Sequence, residues 1–170
     1  MDALLHLPKH SGILEGTVDL PLNKSLANRA QILAALYPHL TLNTIPEAED
    51  SRFLAQTLSF DERDVHVGAG GTTLRFATAY WATQPGALKV LSGTDALNSR
   101  PIAELVDALN ALGADITYEG KGEHPPLRIR GASLTGSSLT LGTLKSSQFL
   151  TALMLIGPSL PNGLSLTWES

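Results

Sequence analysis

The sequence predicts an α/β fold of inside-out plan, with apolar helices in the middle and β-sheets outside. Three observations lead there. Short β-branched or alternating segments, bounded by Gly, Pro or Asn, recur between helical stretches. The helical stretches at 25–36, 72–82 and 146–156 have almost no polar face, and a helix that is apolar all round is a buried one. The composition is that of a globular chain: 170 residues, 43% hydrophobic and 16% charged, with aromatics at only 5%, so the core is aliphatic.

Taken in order, strands are expected at 13–20, 40–45, 64–67, 88–91, 115–118, 127–130, 138–141 and 164–168. Helices are expected at 25–36, 50–58, 72–82, 101–112 and 146–156. Pro101 suits a first helical position. Leu112-Gly113 and Gly157-Pro158 read as helix stops. The helix at 101–112 is of a different kind from the apolar three. Ile102, Leu105, Val106, Leu109 and Leu112 share one side, as on a helix lying over a sheet. Asn23-Lys24-Ser25, Gly70-Gly71-Thr72 and Leu144-Lys145-Ser146 each follow a strand and open an apolar helix. A βαβαββ unit therefore fits the chain about twice, with a third begun before Ser170.

Several classes of function are disfavoured. A net charge of −4 argues against a broad nucleic-acid surface. The absence of cysteine excludes disulfides and thiolate metal sites, and points to a reducing cytoplasm. Residues 1–10 lack the pattern of a secretory signal. The most apolar run, 149–156, is far short of the ~18 residues a membrane span requires. His6, His10, His39, His66 and His124 have no metal-ligand spacing, so no metal site is expected.

The starts of the apolar helices carry the chemistry. A helix N-terminus offers unpaired N–H groups and about half a positive charge, which attract phosphate or carboxylate. Lys24 adds a cation there, Ser25 a hydroxyl, and Arg29 a second cation one turn in. Gly70-Gly71-Thr72 permits close backbone approach, with Arg75 a turn later and Arg100 just before Pro101. Ser146, Ser147 and Gln148 supply two hydroxyls and an amide. If the helices lie side by side pointing one way, these groups form a pocket for a small polyanion. Each also has a structural reading. Ser25, Thr72 and Ser146 read as helix caps, the Gly68–Gly71 cluster as a turn, and Arg29 and Arg75 as snorkelling side chains or salt-bridge partners. Arg128 and Arg130 read as a solvated strand face, and the acids at 47–50 and 61–64 as solvated loops. Only the joint pattern favours a site.

The segment Lys24-Ser25-Leu26-Ala27-Asn28-Arg29-Ala30 resembles the Lys-Ser-x-Ser-Asn-Arg-Ala signature of 5-enolpyruvylshikimate-3-phosphate (EPSP) synthases. Gly68-Ala69-Gly70-Gly71-Thr72-Thr73-Leu74-Arg75 is similar to their Gly-Asn-Ala-Gly-Thr-x-x-Arg loop. Arg100-Pro101-Ile102, Pro125-Pro126-Leu127-Arg128-Ile129 and Ser146-Ser147-Gln148-Phe149-Leu150 continue the series in the right order. The resemblance implies transfer of the enolpyruvyl group of phosphoenolpyruvate to the 5-hydroxyl of shikimate 3-phosphate, without metal or organic cofactor. It implies that Lys24, Ser25, Arg29, Ser146, Ser147 and Gln148 bind shikimate 3-phosphate. It implies that Lys24, Gly71, Arg100 and Gln148 face phosphoenolpyruvate. Arg75 belongs to the motif but receives no ligand.

The same resemblance implies that residues 1–20 form the first strand of the family's other domain. Residues 21–170 would be the substrate-binding domain of βαβαββ repeats, truncated in the third. The family's catalytic Asp would lie beyond Ser170, in a missing C-terminal half, so no catalytic residue is expected in this chain and it should be inactive alone. Leu22, Asn23, Ala27, Ala69, Phe76, Thr94 and Lys145 depart from the family pattern and bear on affinity more than on fold. The sibling UDP-N-acetylglucosamine enolpyruvyl transferases typically have Lys-Asn where Lys24-Ser25 stands, and often a reactive Cys. A non-catalytic anion-binding module is the alternative from another class.

Overall fold

A computed structural model describes residues 22–44, 46–142 and 146–169. The strand expected at 13–20, the domain boundary near residue 20, and Lys145 lie outside the described residues. The chain runs α1 (Lys24–Leu36), α2 (Glu49–Ser59), β1 (Asp64–His66), α3 (Gly71–Ala82), β2 (Leu88–Ser92), α4 (Asp95–Asn98) and α5 (Ala103–Ala111). It continues with β3 (Asp115–Tyr118), β4 (Leu127–Arg130), β5 (Ser138–Leu141), α6 (Ser147–Ile156) and β6 (Ser165–Trp168). No helix among the described residues is long and apolar enough to cross a membrane.

The segment β1-α3-β2-α5-β3-β4 is one complete βαβαββ unit. Its sheet has the order β1-β2-β4-β3, with β1 and β2 parallel and the other neighbours antiparallel. The period-2 pattern sorts its two faces. Val65, Leu91, Leu127 and Tyr118 lie opposite one another across the four strands, and Ile116 pairs with Ile129 in the next row. Arg128 and Arg130 point to the other face, where they pair with Glu119 and Asp115, as expected of a solvated strand surface. A second unit opens with β5-α6-β6, whose strands are again a parallel pair joined by a helix.

Helix α3 is the centre. Thr73, Leu74, Phe76, Ala77, Thr78, Ala79, Tyr80 and Ala82 are all buried, so the expectation drawn from its missing polar face holds. It packs against α1, α2, α5 and α6 and against β2 and β4. Helix α6 buries Phe149, Ala152, Leu153 and Ile156 but leaves Met154 exposed. Helix α1 departs further from expectation: it buries Asn28, Gln31 and Ile32, while Leu26 is 67% exposed. A polar contact decides this orientation, because Ser51 Oγ on α2 donates to Asn28 Oδ1 at 2.6 Å inside the α1–α2 contact.

Other differences are local. Residues 40–44 form no strand, since no described strand runs beside them to complete a ladder. Helix α5 starts at Ala103 rather than Pro101, and ends as expected. Gly113, at φ +104°, takes the left-handed conformation that lets its N–H reach Asn110 O and that of Ala114 reach Leu109 O. The short α4 is set by Thr94, whose side chain accepts from Leu97 N. Lys89 breaks the strand pattern: it faces inward, 4% exposed, over the Trp81 ring at 4.4 Å. Its ammonium donates to the carbonyls of Phe60 and Glu62 just beyond α2.

Candidate active site

The N-terminal ends of α1, α3 and α6 are joined by a continuous set of contacts. Lys24 Nζ lies 2.8 Å from Asp50 Oδ2, at the start of α2. The Asp50 backbone carbonyl accepts from Thr73 Oγ1 at 2.9 Å in the first turn of α3. Arg29 lies over the Phe76 ring of α3, 5.9 Å from its centroid, and donates to Ser25 O at 2.7 Å. From α3, Arg75 reaches α6, donating to Gln148 Oε1 at 2.8 Å and stacking on Phe149 at 5.0 Å.

At their other ends the three helices also meet. Leu36 at the end of α1, Thr83 and Gln84 after α3, and Ser159 and Leu160 after α6 line one open pocket of about 200 Å³. The three helices therefore run the same way, and their positive dipole ends gather on one side. The first turns sharpen this. Helices α2, α4 and α5 carry Glu49 and Asp50, Asp95, and Glu104 in their first turns, whereas α1, α3 and α6 carry no acid there. None of the three therefore offsets its own positive end, and the acid that reaches the cluster is Asp50 of α2, paired with Lys24 and lying beside Gly70.

Gly71 lies against two arginines. A Cβ there would lie 2.5 Å from one terminal nitrogen of Arg75 and 3.2 Å from one of Arg100. Glycine lets two guanidinium groups approach the start of α3 together. Burial first, and then the Arg100 charge, lower the Arg75 pKa from its ordinary value. Arg75 Nε is buried without a hydrogen-bond partner. Gly68, at φ +69°, lies against the Phe53 ring, where a Cβ would come within 2.7 Å. The glycine loop therefore serves both a left-handed turn and an approach to cations.

Of the expected site residues, Gly71, Arg100 and Gln148 meet around Arg75, and Lys24 and Arg29 reach α3 through Asp50 and Phe76, while Ser25 stands on α1 and Ser146 and Ser147 at the start of α6. Their capping roles differ from expectation. Asn23 caps α1 by accepting from Leu26 N, and Gly70 stands at the α3 cap, so neither Ser25 nor Thr72 is a cap. Ser146 is one, accepting from Gln148 N at 3.2 Å, which leaves its hydroxyl proton for a ligand. Asp50 had the appearance of a solvated loop acid but is the partner of Lys24. The available signal was its position at the predicted start of the 50–58 helix. Among the described residues no cluster of His, Asp and Glu could hold a metal ion.

Cations and acid-free helix starts brought together in this way favour an anionic ligand. The family model of EPSP synthase (3-phosphoshikimate 1-carboxyvinyltransferase) matches residues 43–170. A 3-phosphoshikimate 1-carboxyvinyltransferase of Bacteroides fragilis (strain YCH46) is 41% identical over 154 residues, 90% of this chain and 37% of the relative. One from Marinomonas sp. (strain MWYL1) is 33% identical, over 89% of this chain and 41% of its own. The solved EPSP synthase from Acinetobacter baumannii shares the fold, with a TM-score of 0.74 at 21% identity, covering 91% of this chain and 41% of that one. The chain thus spans about two-fifths of the length of the relatives it matches. Three aligned helix starts, a glycine that admits two arginines, and a family match over most of the chain agree: this chain belongs to the EPSP synthase family.

Proposed function

We propose that this chain supplies the shikimate 3-phosphate side, and part of the phosphoenolpyruvate side, of an enolpyruvyl-transfer site. The reaction joins the 5-hydroxyl oxygen of shikimate 3-phosphate to the enolpyruvyl carbon of phosphoenolpyruvate and releases phosphate. The observation that carries this is the convergence of the acid-free N-termini of α1, α3 and α6 on one cationic cluster.

In this reading Ser146 and Ser147 donate to the sugar phosphate, at a helix end that favours anions. Ser25 and Arg29 hold the shikimate part. Lys24 stands between the two substrates, and Gly71 with Arg100 receives phosphoenolpyruvate. Fixed donors of this kind need no reorientation as charge moves during the transfer. None of these groups is a candidate for moving the hydroxyl proton. Asp50, the carboxylate tied into the cluster, is engaged by Lys24. Proton transfer is assigned to residues of the remaining three-fifths of the length seen in relatives, which would also cover the site. A cytoplasmic setting accords with the absence of cysteine.

The test is binding and turnover by the 170-residue chain. Shikimate 3-phosphate should bind weakly, near the millimolar range or about 4 kcal/mol, because water screens an uncovered site. No phosphate should be released from phosphoenolpyruvate. Changing Ser146 and Ser147 together to Ala should abolish the binding seen by ligand-observed NMR. Binding that survives this change would remove α6 from the site, and turnover by this chain would overturn the division of labour.

A further inference from the structure

Arg75 is a half-buried cation that has no carboxylate partner among the described ion pairs. What it holds is a neutral amide, 73 positions away, through the 2.8 Å bond from its terminal nitrogen to Gln148 Oε1. Three constraints fix its guanidinium. Phe149 lies against its face, Gly71 leaves room for its edge, and Arg100 stands beside it. We propose that Arg75 is a positioning residue that fixes the Gln148 carboxamide with its N–H groups turned toward the anion held at the helix ends. This rests on the enolpyruvyl-transfer reading for the identity of the anion.

The chemistry of the two groups supports the assignment. A guanidinium has only donors, so the carboxamide must offer it the oxygen, and Nε2 then faces elsewhere. An unheld glutamine at this place can turn its amide by half a rotation, because its terminal torsion is broad and roughly two-fold. The turned form presents an oxygen to an anionic ligand and repels it. Pairing Arg75 with an amide instead of a carboxylate also leaves its positive charge uncancelled beside Arg100. The arrangement therefore orients a donor without neutralising the site.

The experiment uses the ¹⁵N-labelled 170-residue chain, shikimate 3-phosphate as probe, and the variants Arg75→Met, Arg75→Leu, Arg75→Lys and Gln148→Leu. Without ligand, Arg75→Met should move the Gln148 Nε2 signals to those of a freely rotating glutamine, while the dispersed backbone signals of the four-stranded sheet persist. Unchanged Gln148 signals would overturn the proposal. Arg75→Lys keeps a donor for Gln148 Oε1 and should leave those signals near their parent positions; if Arg75→Met loses its dispersed spectrum, Arg75→Leu decides on the same criterion. With ligand, Arg75→Met should weaken affinity about tenfold, as expected for loss of a charge-assisted hydrogen bond. In a Gln148→Leu background the same change should cost less than about twofold, since coupled residues are not additive. Equal losses in both backgrounds would instead make Arg75 a direct ligand and refute the positioning role. A wild-type chain that binds no shikimate 3-phosphate would sink the proposed substrate. The ligand-free amide signals would still decide the role of Arg75.

Discussion

Replacing Lys24 by alanine separates what this lysine does for the fold from what it does for the site. Its ion pair with Asp50 is short at 2.8 Å, but the side chains are 49% and 27% exposed. Exposed pairs of this kind contribute about 0.2–1 kcal/mol. Against that loss stands a gain. Lys24 is the first residue of α1, where a cation opposes the helix dipole by roughly 0.3–1 kcal/mol. The two terms nearly cancel, so Lys24→Ala should change stability by less than about 1 kcal/mol, read as a small shift of the urea midpoint at constant slope. Binding should respond differently. A charge-assisted contact to an anion is worth about 1.5–3 kcal/mol, so affinity for shikimate 3-phosphate should fall on the order of 10–100-fold by calorimetry. A variant that binds as well as the parent would take Lys24 out of the site. One that loses more than about 2 kcal/mol of stability would show that the lysine is a structural strut.

Gly71→Ala should keep the fold, since the atoms it meets are side-chain termini, yet push the Arg75 nitrogen that holds Gln148 and crowd Arg100. Inorganic phosphate binding by ³¹P NMR should weaken severalfold with an unchanged circular dichroism spectrum. Lys89→Met strips the partner from the carbonyls of Phe60 and Glu62 and the cation from Trp81, and should cost about 2–3 kcal/mol in urea unfolding. A loss below about 0.5 kcal/mol would mean that water replaces the ammonium. Tyr118 is pushed up to about 12 by burial first and then by Asp107 and Glu123. Its folded pKa thus exceeds the unfolded value near 10, so its contribution is complete below pH ~10 and is lost as pH rises toward 12. Tyr118→Phe removes a buried hydroxyl that has no partner, and should flatten the fall in thermal midpoint above pH 10 without lowering stability at pH 7.

What periodicity reveals is burial, and it served well where burial is the whole story. The all-round apolar pattern of α3 and the single apolar side of α5 correspond to their packing. It failed on α1, where a hydrogen bond to Ser51 turns Asn28 inward and leaves Leu26 out. Such a bond links residues 23 positions apart and leaves no periodic trace. Residues 40–44 alternate like a strand, but a strand exists only beside a partner. In the site, the helix starts were legible because Lys, Ser and Gly at those ends are a local signal. The partnership of Asp50 with Lys24 and that of Arg75 with Gln148 were not, since each joins elements that only the fold brings together.

Running three helices side by side in one direction has an energetic consequence for the empty protein. Like dipole ends repel, and here they meet Arg29, Arg75 and Arg100, for which no described ion pair supplies an acid, while Asp50 offsets Lys24 alone. The unliganded fold therefore carries a local self-repulsion that either a bound anion or dissolved salt relieves. Raising ionic strength should strengthen this chain rather than weaken it, the reverse of a protein held by surface ion pairs. Sulfate or phosphate should do so at lower concentration than chloride, by binding the folded form alone. The net charge of −4 does not undo this, because screening confines each charge to about 8 Å in physiological salt. In the proposed reading, an anion approaching from solution is repelled weakly by the surface as a whole and attracted at the helix ends.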